Sequence, residues 1–475
     1  MSHIEIPPDV PSEAAETLRD PYTLDPADVM DPPKTWRDSL KYFGPGLIMS
    51  ASIVGSGELI ATTAAGAQVG FALLWLVIVS TFVKVAIQVE LARWSITTGQ
   101  TGLTGFNRVP PVLGRTGWIT WLWLLMAIAK ITQMGGVVGG TAVALSLLFP
   151  FGGDPLNSTT LAIWTVIVVA SSIALLFSNR YGIIERVSTV LVVAFSLITV
   201  AIALGLPFTP FAYGWAEIAE GLSFGMPAIG VAVAMFGITG VGSDEITFYT
   251  YWCVEKGYAR WSGPNDGSVE WQERANGWIK VMQRDSWLSW VIYTTTTLAF
   301  YIMGAAVLHP QGLVPAGNEV ITTLARMYTD SMGAWAMYVF LICAFAVLAS
   351  TLWAAVPSHS RLWANFFSNV GVFDWKNDPK ARLRWIRIFT IFLPIAWGLM
   401  YLVISSPVIM VMIGGAATGI FLLAVVAGTW YLRQTETDST VLGSRAWLAL
   451  LVISSSAIGL LGLYTIAGVF GFTIG

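Results

Sequence analysis

The chain has 475 residues, of which 55% are hydrophobic and only 11% charged, with a mean hydropathy of +0.68 and a formal net charge of −3. Soluble domains carry about 25% charged residues, so this composition excludes a self-contained soluble protein and describes an all-α polytopic membrane protein. The net charge singles out no partner. The lipid bilayer is the surrounding that composition implies, and nothing in it asks for nucleic acid.

Residues 1–42 open the chain with eight acids and seven prolines before Lys34. They hold no apolar signal core and read as a disordered cytoplasmic tail. Apolar stretches follow at roughly 44–68, 70–97, 117–149, 158–178, 183–206, 224–252, 286–308, 334–360, 384–404, 406–432 and 445–472. Each can supply the ~20 helical residues that cross a hydrocarbon core, which predicts eleven helices. The first contains ASIVGSGELIATTAAGA, Ala51 to Ala67, where Gly55, Ser56 and Gly57 are followed at once by Glu58. A charge at mid-membrane depth costs roughly 2.5–3.5 kcal/mol, and glycine weakens a helix by about 1 kcal/mol against alanine. The helix is therefore expected to break near 54–57.

The second helix carries Lys84, read as a snorkelling lysine or a partner of Glu90. In the third, Ala127, Lys130, Met134 and Val137 share one face by their spacing. A lysine buried there needs a carboxylate, Glu58 or Asp244 being the natural candidates; snorkelling is the alternative. Gly135, Gly136, Gly139 and Gly140 form a small-residue seam for close helix contact. The sixth helix repeats the opening motif: VGSGEL at 54–59 becomes VGSDEI at 241–246, with Thr239 just before it. The aromatic run at 247–252 reads as packing. Pro357 and His359 sit near the end of the eighth helix, read as an ordinary helix end, with a gate as the alternative. Cys253 and Cys343 read as lone packed thiols, and His3, His309 and His359 make no pair at metal-ligand spacing. The loop at 256–285 has no nucleotide motif, so no direct ATP drive is expected.

With the N-terminus placed inside, 22 of the 25 Lys and Arg residues fall on cytoplasmic segments, heaviest at 256–284 and 361–387. Lys84 and Lys130 lie within helices, and Arg326 alone falls outside. This asymmetry follows the positive-inside rule. It predicts a plasma (inner) membrane protein with a cytoplasmic N-terminus and an extracellular or periplasmic C-terminus.

The two copies of the motif stand five helices apart, hence on helices of opposite sense. Paired broken helices in inverted halves are the build of many secondary transporters, with the substrate between the breaks. Freed backbone is tolerated at that depth only where protein or a polar cavity satisfies it. The expected division is a tail at 1–42, a first five-helix repeat at 43–206, a second inverted repeat at 207–432 and an eleventh helix within 433–475. Gly55, Ser56, Gly57, Glu58, Thr239, Gly242, Ser243, Asp244 and Glu245 are the candidate substrate-binding residues, and Lys130 balances their charge. Glu58, Asp244 and Glu245 are the candidate metal ligands. Oxygen donors alone favour hard ions such as Mg²⁺, Mn²⁺ or Ca²⁺. Alternatively, Glu58 and Glu245, each three residues after a glycine, cap half-helices.

The stretches GPGLIMSASIVGSGELIATTAAGAQVGFALLW, WLLMAIAKITQMGGVVGGTAVALSLLF and FGITGVGSDEITFYTYW resemble the NRAMP family of divalent metal transporters, from about Gly44 to Gly257. The resemblance implies a LeuT-type fold, two inverted five-helix repeats plus an eleventh helix. The family carries Asp-Pro-Gly-Asn where Gly55, Ser56, Gly57 and Glu58 stand, and Met-Pro-His followed by Asn where Gly242, Ser243, Asp244 and Glu245 stand. Its proton-handling acids fall at Ala127, Met134 and Val137, all neutral here. The chain thus looks like a divergent branch, comparable to the NRAMP-related magnesium transporters but without their retained aspartate.

These readings converge on a secondary-active or facilitative transporter of a hard divalent cation working by alternating access, without the acids that proton coupling uses. Two alternatives stand beside it: a transporter of a small organic solute, and a non-transporting membrane sensor or partner subunit. No enzymatic constellation and no cofactor are expected, and no oligomeric state is assigned.

Overall fold

In the structure, a computed structural model that describes residues 20–55, 57–151, 153–177 and 181–469, ten helical runs are long and apolar enough to cross a membrane. The first run, Pro45–Thr98, holds two helices that part at Gly70. That glycine has φ +63°, a left-handed backbone that only glycine adopts without strain. The Tyr301 hydroxyl secures the turn, donating to Gly70 O at 2.7 Å and accepting from Leu73 N at 2.9 Å. Among the described residues, eleven membrane-crossing helices result. They are the broken first helix (Pro45–Ile53 and Thr63–Val69), Leu74–Thr98, Trp118–Leu148, Ser158–Leu176, Tyr181–Gly205, the broken sixth helix (Ile229–Ile238 and Ser243–Lys256), Val269–Met303, Ala336–Asn369, Pro379–Ile404, Pro407–Thr435 and Arg445–Val469.

Hydropathy misplaces some ends because capping, not apolarity, fixes them. The seventh helix starts at Val269 rather than 286, where the Ser268 hydroxyl accepts from Trp271 N at 3.0 Å. The ninth starts at Pro379, where Asp378 accepts from Ala381 N at 2.9 Å. Both are ordinary N-caps.

The third helix packs on the eighth, ninth and tenth. Its glycine seam is the reason for the close approach: a Cβ on Gly139 would lie 2.3 Å from the Tyr401 ring, and one on Gly136 2.7 Å from Pro407 O. The first half of the sixth helix meets the tenth still more closely, since a Cβ on Gly237 would fall 1.7 Å from Gly415 O. Backbone cannot move aside as a side chain can. Gly237→Ala is therefore expected to cost about 1–3 kcal/mol by overpacking and to lower the melting temperature of the detergent-purified protein. Gly230→Ala, in the same half-helix but facing open space, should leave the melting temperature unchanged or slightly higher; equal melting of the two variants would refute the close contact.

The expected disorder of the tail is corrected for residues 20–42. Tyr22 is buried, and its hydroxyl donates to Glu255 Oε1 at 2.5 Å. Asp20 pairs with Arg382 at 2.5 Å. Met30 N donates to Trp261 O at 3.0 Å, and Met30 O accepts from Trp278 Nε1 at 2.9 Å. Proline and acid content hid these few anchors, each of which depends on a residue more than 200 positions away. At the far end of the chain, Glu90 is shared by Arg93, Arg433 and Trp447, the last at 2.6 Å, which ties the eleventh helix to the second. Cys253 and Cys343 are free and buried.

Candidate functional site

The first helix stops at Ile53, turns at Val54 and Gly55, and resumes as a wide π turn over Gly57–Thr62. Ser56 lies outside the described residues. Threonine hydroxyls take up carbonyls that the irregular turn frees, Thr62 donating to Gly57 O at 3.0 Å and Thr63 to Glu58 O at 3.2 Å. The sixth helix is interrupted at residues 239–242. This is earlier than the expected 241–244, because Ser243, Asp244 and Glu245 already form the first turn of its second half.

The two breaks face each other. Glu58 Oε1 accepts from Gly240 N at 3.3 Å and from the Thr297 hydroxyl of the seventh helix at 2.9 Å. A Cβ on Gly57 would stand 3.1 Å from Ile238 O, so glycine is what lets the breaks close. Glu58 is fully buried. Its second oxygen, Oε2, has no hydrogen-bond partner among the described residues, and neither has the nearby buried Tyr293 hydroxyl.

Lys84 neither snorkels nor pairs with Glu90. It is buried, and its ammonium donates to Phe236 O and, at 2.7 Å, to Thr239 O. Those are terminal carbonyls of the first half of the sixth helix, the negative end of its dipole. Ser80 meets the Thr239 hydroxyl at 2.7 Å beside them.

A second cluster gathers around Lys130, which is 3% exposed in mid-helix and so does not snorkel. Its ammonium lies 2.9 Å and 3.0 Å from the two Asp244 oxygens and 3.4 Å from Glu245 Oε1. Asp244 Oδ2 also meets His359 Nε2 at 3.1 Å. The other ring nitrogen of His359, Nδ1, faces Ala355 O at 2.9 Å. Ser243 spends its hydroxyl proton on Thr418 O at 2.9 Å. Gly242 leaves room for Glu245, whose Oε2 would touch a Cβ at 2.3 Å.

The three-carboxylate metal set is thereby corrected. Among the described residues no three His, Cys, Asp or Glu side chains stand close enough to hold a metal ion together. Glu58 is engaged by the first break's neighbours, whereas Asp244 and Glu245 belong to Lys130. The two acids at 244 and 245 diverge less than their separation of about 100° around a helix suggests, because the long ammonium reaches both.

His359, Thr297, Lys84 and Tyr293 complete the two clusters and were not among the candidate residues. For His359 the signal was present: a histidine inside an apolar helix, two residues after Pro357. Thr297 stands in TTTT at 294–297, a hydroxyl run unusual in the middle of a membrane helix.

A family profile described as natural resistance-associated macrophage protein-like (Nramp) matches residues 46–468. An uncharacterised protein of Pasteurella multocida is 21% identical over 69% of this chain and 70% of its own length. The metal transporter Nramp2 of Populus trichocarpa is 29% identical over 37% of this chain, but that match spans only 31% of the plant protein. Among solved structures, the manganese transporter of Eremococcus coleocola, in complex with an aromatic bis-isothiourea compound, superposes with a TM-score of 0.52 at 15% identity, covering 95% of this chain and all of that one. MhsT in complex with L-phenylalanine superposes with a TM-score of 0.51 at 13% identity, over 92% of this chain and all of that one. At such identities the structures speak for the fold alone, a LeuT-type arrangement of two inverted five-helix repeats and an eleventh helix. Broken helices that meet at their breaks, and a family profile that spans nearly the whole membrane region, lead to one assignment: this integral membrane protein belongs to the Nramp family.

Proposed function

We propose that the chain is a secondary-active or facilitative transporter that moves a hard divalent cation, Mg²⁺, Mn²⁺ or Ca²⁺, by alternating access between the two breaks. The observation that carries this reading is Glu58: a fully buried carboxylate bridging both breaks, with one oxygen left without a partner among the described residues. Hydroxyls of Thr297 and Tyr293 and freed backbone supply further oxygen donors there, and the break segments 54–58 and 239–245 carry no methionine or cysteine to favour softer ions. Gly55, Gly57, Thr239, Gly242 and Ser243 shape the passage, and Asp244 and Glu245 with Lys130 form its charged flank. The halves of the transporter are 43–206 and 207–432. The charge distribution supports the plasma (inner) membrane, with the N-terminus cytoplasmic and the C-terminus outside.

The decisive measurement is uptake into proteoliposomes containing the purified full chain, across Mg²⁺, Mn²⁺, Ca²⁺ and small amines. Saturable uptake of at least one of the three ions is expected, with Mn²⁺ not strongly preferred because methionine is missing from the site. Uptake of amines with no ion transported would favour a second reading. Asp244 and Glu245 already receive an ammonium, that of Lys130, so the same cluster suits an amine-bearing organic solute. No uptake of either class would favour a sensor or partner subunit.

A further inference from the structure

The ninth helix, Pro379–Ile404, begins with four cations, Lys380, Arg382, Arg384 and Arg387. Arg382 turns inward, buried against Asp20 at 2.5 Å and over the Tyr22 ring at 4.5 Å. Lys380, Arg384 and Arg387 turn outward and are exposed. Among the described residues their side chains make no ion pair and no hydrogen bond. Their spacing of four and three puts them on one face, where like charges repel. They line a groove of about 390 Å³ together with Leu383, Ile388 and Ile391.

The same face changes character abruptly after Arg387. Ile388, Ile391, Phe392, Ile395 and Leu399 follow along it, each 42–59% exposed. The buried side of the helix meanwhile carries Phe389, Leu393, Trp397 and Tyr401. A helix that crosses a bilayer exposes such an apolar stripe to acyl chains, so the three cations stand at headgroup level. Guanidinium groups bind phosphate oxygens in a fork, and basic pockets at this level take anionic lipid headgroups.

We infer that the start of the ninth helix is a binding site for one anionic phospholipid. Its phosphate lies among Lys380, Arg384 and Arg387, and its acyl chains run along Ile388 to Leu399. Charge complementarity chooses this occupant: the groove offers three unpaired cations directly above an apolar track, the reverse image of a lipid with a negative head. A second cationic groove, among Trp36, Lys280, Arg284 and Trp287, offers less, since Arg284 already donates to Ser39 Oγ at 2.7 Å. The site is independent of what the protein transports.

The test uses the purified full chain in detergent, titrated with phosphatidylglycerol, phosphatidylcholine or inorganic phosphate and followed by thermal melting. A photoactivatable phosphatidylglycerol then maps the contact by mass spectrometry. Phosphatidylglycerol should stabilise the wild type at far lower concentration than phosphatidylcholine, and cross-links should fall on residues 380–399. Each cation removed should weaken binding about fivefold, from the roughly 1 kcal/mol that one charge contributes near an anionic headgroup. Lys380→Gln/Arg384→Gln/Arg387→Gln together should then lose about a hundredfold, whereas Lys280→Gln should bind as the wild type does. Equal stabilisation by the two lipids, cross-links elsewhere, or an unchanged triple variant would overturn the inference. So would an equal shift with inorganic phosphate, which would mark a free-anion site. The wild-type comparisons stand even if the triple variant fails to fold.

Discussion

Replacing Lys130 by methionine is expected to lower both stability and transport sharply. The ammonium is the partner of both Asp244 oxygens and of Glu245 Oε1, all within 3.4 Å. Methionine keeps most of the side chain's volume and apolar stem, so packing changes little and the charge is what disappears. Breaking a buried ion pair by removing one partner costs about 3–5 kcal/mol, because the other charge stays behind in a poor solvent. Of the two adjacent carboxylates, Asp244 would then keep its contact with His359, a contact that Glu245 does not make. They can stay together only by taking up a proton in place of the ammonium. Uptake by Lys130→Met should accordingly be poor at neutral pH, recover as pH falls, and respond to a proton gradient. The wild type, with its ammonium built in, should respond weakly. Proteoliposome uptake at several pH values, alongside melting of the purified variant, reads both effects. A wild type with strong proton dependence, left unchanged in Lys130→Met, would show that the lysine is not a substitute for a coupling proton.

That cluster also shows where sequence reasoning reaches and where it stops. Membrane class, eleven helices and the pairing of two breaks follow from local signals: apolar length, glycine, and a repeated six-residue motif. The demand that Lys130 find a carboxylate follows from the cost of a buried charge. Which carboxylate does not, because Glu58 and Asp244 are both within reach of a lysine in mid-helix until the packing is known. The tight seam between the third helix and the ninth and tenth, made possible by Gly136 and Gly139, swings Lys130 toward the second half of the sixth helix. Lys84 was misread for a related reason. Snorkelling assumes an interface nearby, whereas the broken sixth helix brings the carbonyls of Phe236 and Thr239 to meet the lysine inside. His359 reaches Asp244 across 115 positions of sequence, a distance over which no periodicity carries information. The tail failed differently: composition carries no trace of the few contacts, those of Asp20, Tyr22 and Met30, that suffice to hold residues 20–42.

The last large effect is expected at Glu58. Glutamine at this position can keep the two contacts that the carboxylate makes, because its amide oxygen can still accept from Gly240 N and from the Thr297 hydroxyl. What it replaces is the second oxygen, unpartnered among the described residues, with an NH₂ group that can only donate. Shape and capping survive, and the charge with its free lone pairs does not. If Glu58 serves only to cap the half-helix, Glu58→Gln should melt and transport like the wild type, give or take the few tenths of a kcal/mol of a dipole interaction. If it binds a cation, a charge-assisted contact of about 1.5–3 kcal/mol is lost, and uptake at subsaturating ion should fall at least about tenfold. Thr297→Val provides the graded comparison, since it removes one neutral hydroxyl and leaves the charge, so its loss should be smaller. Uptake and melting measured on both variants separate the roles: normal transport by Glu58→Gln would reduce Glu58 to a cap and leave the passage without its central ligand.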